Sequence, residues 1–242
     1  MINPNARFTV LEHCITLNWD DGPTLHKLIA QVRYHRPGSV TARTLRVFAT
    51  HYAGEPCVAF QRREEDLEVH WEWCALGGGW CARLKVRNAS SEEVFADSLD
   101  VLHVEYATGG QFNLGAPPGL WQCALEGSMA EGGALAWEMW TPGTGTGEGF
   151  TRRAELLVYP TVSNRTRPPA LLIRALPSAS PLPTELRLNL NGERFERLTA
   201  RCKTDGLLLA PGETVRSAWF WLLSGDDPAE LLRCALPTPE EA

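Results

Sequence analysis

Leu67-Glu68-Val69-His70-Trp71-Glu72-Trp73-Cys74-Ala75-Leu76-Gly77-Gly78-Gly79-Trp80-Cys81-Ala82-Arg83-Leu84-Lys85-Val86-Arg87 sets the fold class on its own terms. Leu67, Val69, Trp71 and Trp73 alternate with Glu68, His70 and Glu72, and beyond the glycines Ala82, Leu84 and Val86 alternate with Arg83, Lys85 and Arg87. Side chains that repeat every second residue share one face of a strand, so residues 66–87 read as an antiparallel hairpin with one buried and one wet face. The wet face is acidic on the first strand and basic on the second. Cross-strand pairs such as Glu72 with Arg83 then specify the register, each contributing about 0.2–1 kcal/mol.

The same period recurs in both directions along the chain. Residues 7–17 read as one or two strands closed by the turn Asp20-Asp21-Gly22-Pro23, and residues 30–34 and 45–52 as strands separated by Arg36-Pro37-Gly38-Ser39. Residues 99–106, 153–159 and 170–176 follow, the last two punctuated by Pro160, Pro168, Pro169 and Pro177. A second hairpin turns at Asn191-Gly192, a pair suited to the left-handed positions of a type I′ turn. Residues 206–214 give a short strand with a Pro-Gly turn, and residues 215–223 a last, aromatic-rich strand. A helical signal comes only near the end, where Asp227 is placed as an N-cap, Pro228 as the first helical residue and Glu230 three after the cap. The expected fold is therefore all-β: a large antiparallel β-sandwich, residues 1–224, followed by a short C-terminal helix in residues 225–242.

With 242 residues, 44% of them hydrophobic and 21% charged, the chain can bury the core of one large β domain. A net charge of -6 argues against a grip on the phosphates of a nucleic acid. No apolar run approaches 18 residues and the N-terminus lacks a signal peptide's basic start and apolar core, so no membrane partner and a cytoplasmic location are expected. Seven cysteines, an odd number in a chain too large to need staples, are expected to be free thiols. Cys74 and Cys81 flank the glycine turn with His70 nearby, which falls short of a zinc ligand set, and no metal or other cofactor is expected.

The candidate functional stretch is Leu120–Phe150, a glycine-rich segment carrying Trp121, Trp137 and Trp140. Large aromatics on a loop held by a rigid scaffold either present indole faces to flat ligands such as sugar rings or plug the end of a core. A second candidate is the pair His103 and Glu105, two apart on one strand and so on one face. The acidic pairs Asp20-Asp21, Glu64-Glu65, Glu92-Glu93 and Asp226-Asp227 are adjacent in sequence, so in a strand they point to opposite faces and in a turn they are solvated.

Taken in order, four stretches resemble the N-terminal β domain, or β-supersandwich, of the α-galactosidases of glycoside hydrolase family 36. They are Val86-Arg87-Asn88-Ala89-Ser90-Ser91-Glu92-Glu93-Val94, the loop from Trp137 to Pro142, Leu209-Ala210-Pro211-Gly212-Glu213, and Ser224-Gly225-Asp226-Asp227-Pro228 with its helix. The resemblance implies a galactose-mutarotase-like supersandwich fold and a non-catalytic domain that packs on a catalytic (β/α)8 barrel of the same gene product. It further implies support for oligomerisation, for instance as a homo-oligomer, or an aromatic lent to the sugar pocket. The chain departs from the family at Ala134-Leu135-Ala136-Trp137, which lacks the family's Asn-Gly before the tryptophan, and it holds no barrel strands to carry the nucleophile and acid. Two other readings stay open at this point. One is a self-standing carbohydrate-binding module. The other is an aldose-epimerase-like enzyme using His103 and Glu105 as acid and base.

Overall fold

The computed structural model describes residues 6–20, 22–129, 135–139, 149–152, 155–160, 169–177, 182–191 and 194–237. In chain order the strands are β1 (Ala6–Leu11), β2 (Cys14–Trp19), β3 (Thr24–His35), β4 (Arg43–Val47), β5 (Cys57–Arg63), β6 (Leu67–Leu76), β7 (Gly79–Asn88), β8 (Val94–Glu105) and β9 (Gln111–Asn113). The second half adds β10 (Trp121–Met129), β11 (Leu135–Met139), β12 (Gly149–Arg152), β13 (Glu155–Pro160), β14 (Ala170–Ala175), β15 (Thr184–Asn191), β16 (Arg194–Leu209), β17 (Thr214–Arg216) and β18 (Phe220–Gly225). One helix, α1 (Pro228–Arg233), follows them. Strands account for 64% of the chain, so the all-β expectation holds.

The strands form two antiparallel sheets. The first runs β1-β2-β3-β8-β16-β15-β12, with β4 and β9 also on β3, and the second runs β11-β10-β13-β14-β18-β7-β6-β5, with β17 on β7. Each sheet draws on both halves of the sequence, joined where β16 meets β8 and where β18 meets β7. The facing sides close over one core that includes Trp19, Trp71, Trp73, Trp121, Phe60 and Phe220. A chain cut in the middle would leave half of each sheet's inner face open to water.

The first hairpin has the predicted strands and register: Glu72 stands opposite Arg83 and the two are ion-paired. Its turn is tighter than three glycines suggest. Gly77 and Gly78 occupy the left-handed region, at φ 58° and 76°, while Gly79 already pairs with Leu76. Gly79 also cannot carry a side chain, because a Cβ there would lie 2.2 Å from the Leu222 carbonyl oxygen.

The wet face expected on β7 is a correction. Cys81 and Arg83 point away from the main core yet are buried, because the neighbouring strand supplies a second cover. Trp219 swings out over the Arg83 guanidinium, 4.4 Å from ring centre to Cζ. The swing comes from a break in the expected strand 215–223, which the structure splits into β17 and β18. Buried Ser217 replaces a ladder partner there: its hydroxyl accepts from the Leu84 N–H at 2.9 Å and donates to the Ala218 carbonyl at 2.8 Å. A second apolar cluster lies on this outer side, where Cys81, Leu157, Leu172, Trp221 and Leu223 are covered by Leu231 of α1.

Other boundaries moved too. The strand expected over 45–52 ends at Val47, and β5 follows with Phe60 as its one fully buried residue. The short strand expected from residue 206 is instead the end of the single strand β16, which carries a bulge there. Register passes from Lys203 opposite Ser98 to Leu207 opposite Ala96, so Thr204, Asp205 and Gly206 face one residue. Asp205 and Gly206 take φ of 46° and 77° to make room. The Asn191-Gly192 turn lies partly outside the described residues. The helix begins as expected, with the Asp227 carboxylate accepting from the N–H groups of Ala229 at 2.8 Å and Glu230 at 3.2 Å, and it ends at Arg233.

Candidate functional site

Trp121 opens β10 directly after a turn of 3-10 helix at Pro118–Leu120, and its indole points into the core. It is 1% exposed, its N–H donates to the Ala116 carbonyl at 2.9 Å, and its ring meets Phe112 at 4.9 Å. Of the two roles read for these aromatics, Trp121 takes that of plugging the core, since the pairing of β10 puts it inward. Trp137 lies on β11 opposite Ala124, and its side chain, like the whole of Trp140, is outside the described residues.

His103 and Glu105 do share a face, the outer side of the first sheet, with Nε2 and Oε2 3.7 Å apart. Around them β3, β8, β15 and β16 build a band of charges. Glu105 accepts from Arg197 at 2.6 Å; Asp100 pairs with Arg201 at 2.9 Å and accepts from Gln31 at 2.7 Å; Glu185 lies between Lys203 at 2.6 Å and Arg187 at 2.7 Å. His103 is 6% exposed, with Thr199 at 3.5 Å from its Nδ1.

The electrostatics follow from that geometry. Burial pushes the His103 imidazole below its usual range, against the opposing pull of Asp100 and Glu105. Burial alone would raise the Glu105 carboxyl, but the hydrogen bond and charge of Arg197 bring it below the usual carboxylate range. Glu185 is held low in the same way, by Lys203 and Arg187. A neutral imidazole beside an anchored carboxylate can carry a hydrogen bond. As an acid–base pair it lacks room: each carboxylate is turned to a cation, and the ring that would move a proton is covered. Among the described residues no group of three or more His, Cys, Asp or Glu side chains is arranged to hold a metal ion.

A third feature, which sequence reading did not single out, lies at one end of the sandwich. The start of β1, the tip of the β6–β7 hairpin and Asp20 line an open cleft of ≈ 510 Å³. Arg7 and Asp20 pair across it at 3.2 Å, both largely exposed, and the Trp80 indole N–H is tied to the Ala6 carbonyl at 3.3 Å. Asp20 therefore sits in a solvated turn beside a buried Trp19. The segment after α1 returns to the same place, since a Cβ added to Gly77 would lie 3.2 Å from Pro237. Only the three-dimensional meeting of residues 6–7, 20 and 75–80 makes this cleft, and no local pattern announces it.

Two of the stretches quoted for their resemblance also meet, at Asn88. Its carboxamide N–H groups donate to the carbonyls of Glu92 at 2.7 Å and Leu209 at 2.8 Å, and its oxygen accepts from Ser90 N–H and hydroxyl at 3.0 and 2.8 Å. Its backbone bonds Glu213 and Gly212, each at 2.9 Å. The Asn-Ala-Ser-Ser and Ala-Pro-Gly-Glu turns are thus one buried junction, a device of the fold.

No protein-family model matches the chain, and no curated protein matches it in sequence. Its fold, however, is found among solved structures. The galactosidase domain of an α-galactosidase–sucrose kinase aligns with a TM-score of 0.51 at 12% identity, covering 84% of this chain and 28% of that one. A polysaccharide lyase aligns with a TM-score of 0.50 at 11% identity, over 92% of this chain and 32% of that one. The family 36 α-galactosidase AgaB from Geobacillus stearothermophilus gives 0.49 at 10% identity, over 92% and 30%. The chain spans less than a third of the length of each of these proteins. At such identities the likeness is one of fold, and at that level it agrees with the resemblance read from the sequence.

Proposed function

We propose that the chain is the non-catalytic β-sandwich domain of a larger, cytoplasmic glycoside hydrolase of α-galactosidase type. The observation that carries this reading is the shared fold with the galactosidase domain of the α-galactosidase–sucrose kinase, of which this chain covers 28%. In this reading residues 1–224 are the sandwich and residues 225–242 the start of a linker toward a (β/α)8 barrel. Docking of Leu231 on the outer apolar cluster holds that linker against the second sheet. Trp137 and Trp140, on the segment after β10, are the aromatics assigned to the barrel-facing sugar pocket or to a homo-oligomer contact.

Glycoside hydrolysis of the usual kind needs two carboxylates flanking the scissile bond, roughly 5–9.5 Å apart, one of them protonated near neutral pH. Glu105 and Glu185 on the charged face are instead held below the usual carboxylate range by arginine and lysine, which supports assigning the chemistry to the barrel. The purified chain at micromolar concentration is expected not to turn over a nitrophenyl α-galactoside, while the product of the whole coding sequence does. Saturable hydrolysis by the chain alone, lost on Asp100→Asn or Glu105→Gln, would overturn the proposal. A coding sequence that stops at Ala242 would overturn it, an outcome that a self-standing carbohydrate-binding module and an aldose-epimerase-like enzyme both allow.

A further inference from the structure

Three cysteines lie in one row across three neighbouring strands of the second sheet. Cys57 of β5 stands opposite Cys74 of β6, and Cys74 stands opposite Cys81 of β7. Directly opposed residues of an antiparallel pair share a face, so the three thiols line up on the outer side. They differ in access: Cys57 is exposed, Cys74 half-buried and Cys81 buried.

The two couplings in the row are not equivalent. The Ala75 N–H donates to the Pro56 carbonyl at 2.7 Å, which makes Pro56 and Ala75 a hydrogen-bonded pair. Sites alternate along a ladder, so the adjacent Cys57–Cys74 couple is non-hydrogen-bonded, with its Cα atoms about 4.5 Å apart and its side chains close together. That separation falls inside the roughly 4.4–6.8 Å range that a disulfide spans. On the other side of Cys74, Leu76 and Gly79 flank the two-residue turn, so the Cys74–Cys81 couple falls on a hydrogen-bonded site, where side chains stand further apart.

We propose that Cys57 and Cys74 form a thiol–disulfide exchange site for low-molecular-weight disulfides, of which glutathione disulfide is the test case. Cys57, the exposed thiol, attacks as its thiolate. A bond forms between Cys57 Sγ and one glutathione sulfur, and the other glutathione leaves as thiolate and takes up a proton. Cys74 then gives up its proton and attacks Cys57 Sγ, forming the intramolecular disulfide and releasing the second glutathione. Two protein thiols are oxidised and one glutathione disulfide is reduced to two glutathiones. Burial, reinforced by Cys57 beside it, raises the Cys74 thiol to about 12, which makes the second step the slow one. Cys81, likewise raised to about 12 by burial, stays out of the exchange. The product staples the edge strand β5 to the sheet.

The test treats the full chain with glutathione disulfide at neutral pH and follows intact mass and the non-reduced peptide map. Expected is a loss of two hydrogens, a single cross-linked peptide joining Cys57 to Cys74, and reversal by dithiothreitol. Cys81→Ser should react as the parent does, whereas Cys57→Ser, a change at an exposed position, should form no cross-link. A glutathione adduct that persists on Cys57, a link between Cys74 and Cys81, or cross-linking that survives Cys57→Ser would each overturn the proposal.

Discussion

Asn88 satisfies backbone and serine groups from two loops more than a hundred residues apart and is itself wholly buried. Truncating it takes the side-chain donor from the buried Leu209 carbonyl, while the Glu92 carbonyl keeps the Ser90 hydroxyl at 2.8 Å, and a buried acceptor without a donor costs more than the hydrogen bond itself contributed. Asn88→Ala is therefore expected to lose about 2–4 kcal/mol, read from urea unfolding with an unchanged slope. Asn88→Asp should fare no better, because a carboxylate offers those two carbonyls no donor. The sequence marks Asn88 only as a turn residue. Its partner at Leu209 lies beyond the reach of any local pattern, which is why the same letters read as a family signature and act as a structural joint. Trp121 illustrates the converse: residue type made it a candidate, and the face it occupies, set by strand pairing with β13, made it core.

The β6–β7 hairpin was readable because its alternation is undiluted and two of its glycines, Gly77 and Gly78, take left-handed backbone. β5 was not, since only Phe60 is fully buried on it and an edge strand has little apolar pattern to show. The covering of β7's outer face was equally hidden, because it depends on Ser217 and Trp219, which are distant in sequence. At α1 the local chemistry was sufficient: Asp227 bonds the first free N–H groups and Pro228 needs none. Asp227→Ala should cost about 0.5–2 kcal/mol, and the amides of Ala229 and Glu230 should exchange faster than those of β18 in the same sample. Exchange at those two amides that does not change would assign their protection to the docking of Leu231 rather than to the cap. The charged face was legible only as the pair His103 and Glu105. Their cationic partner Arg197 comes from β16, and long-range pairing is what turned a candidate dyad into an anchored network.

At the scale of the molecule, the alternation of strands and turns was enough to read an all-β sandwich. The strand order was not, because β16 beside β8 and β18 beside β7 are pairings between the chain's two halves. The cleft at one end follows from that order, and it has a topological consequence. Ala6 touches Trp80, and Pro237 lies against Gly77, so both ends of the described chain reach the tip of one hairpin. A linker of about six residues, spanning up to roughly 20 Å, is long enough to join them. Fresh ends opened between Gly38 and Ser39, both exposed, would sever no strand. Such a circular permutant is expected to keep the far-ultraviolet spectrum of the parent and to melt within a few degrees of it, whereas ends opened inside β8 should abolish folding. The sandwich would then be a closed loop of chain cut at a place of choice, and a partner protein could be fused at the end opposite the cleft as readily as beside it.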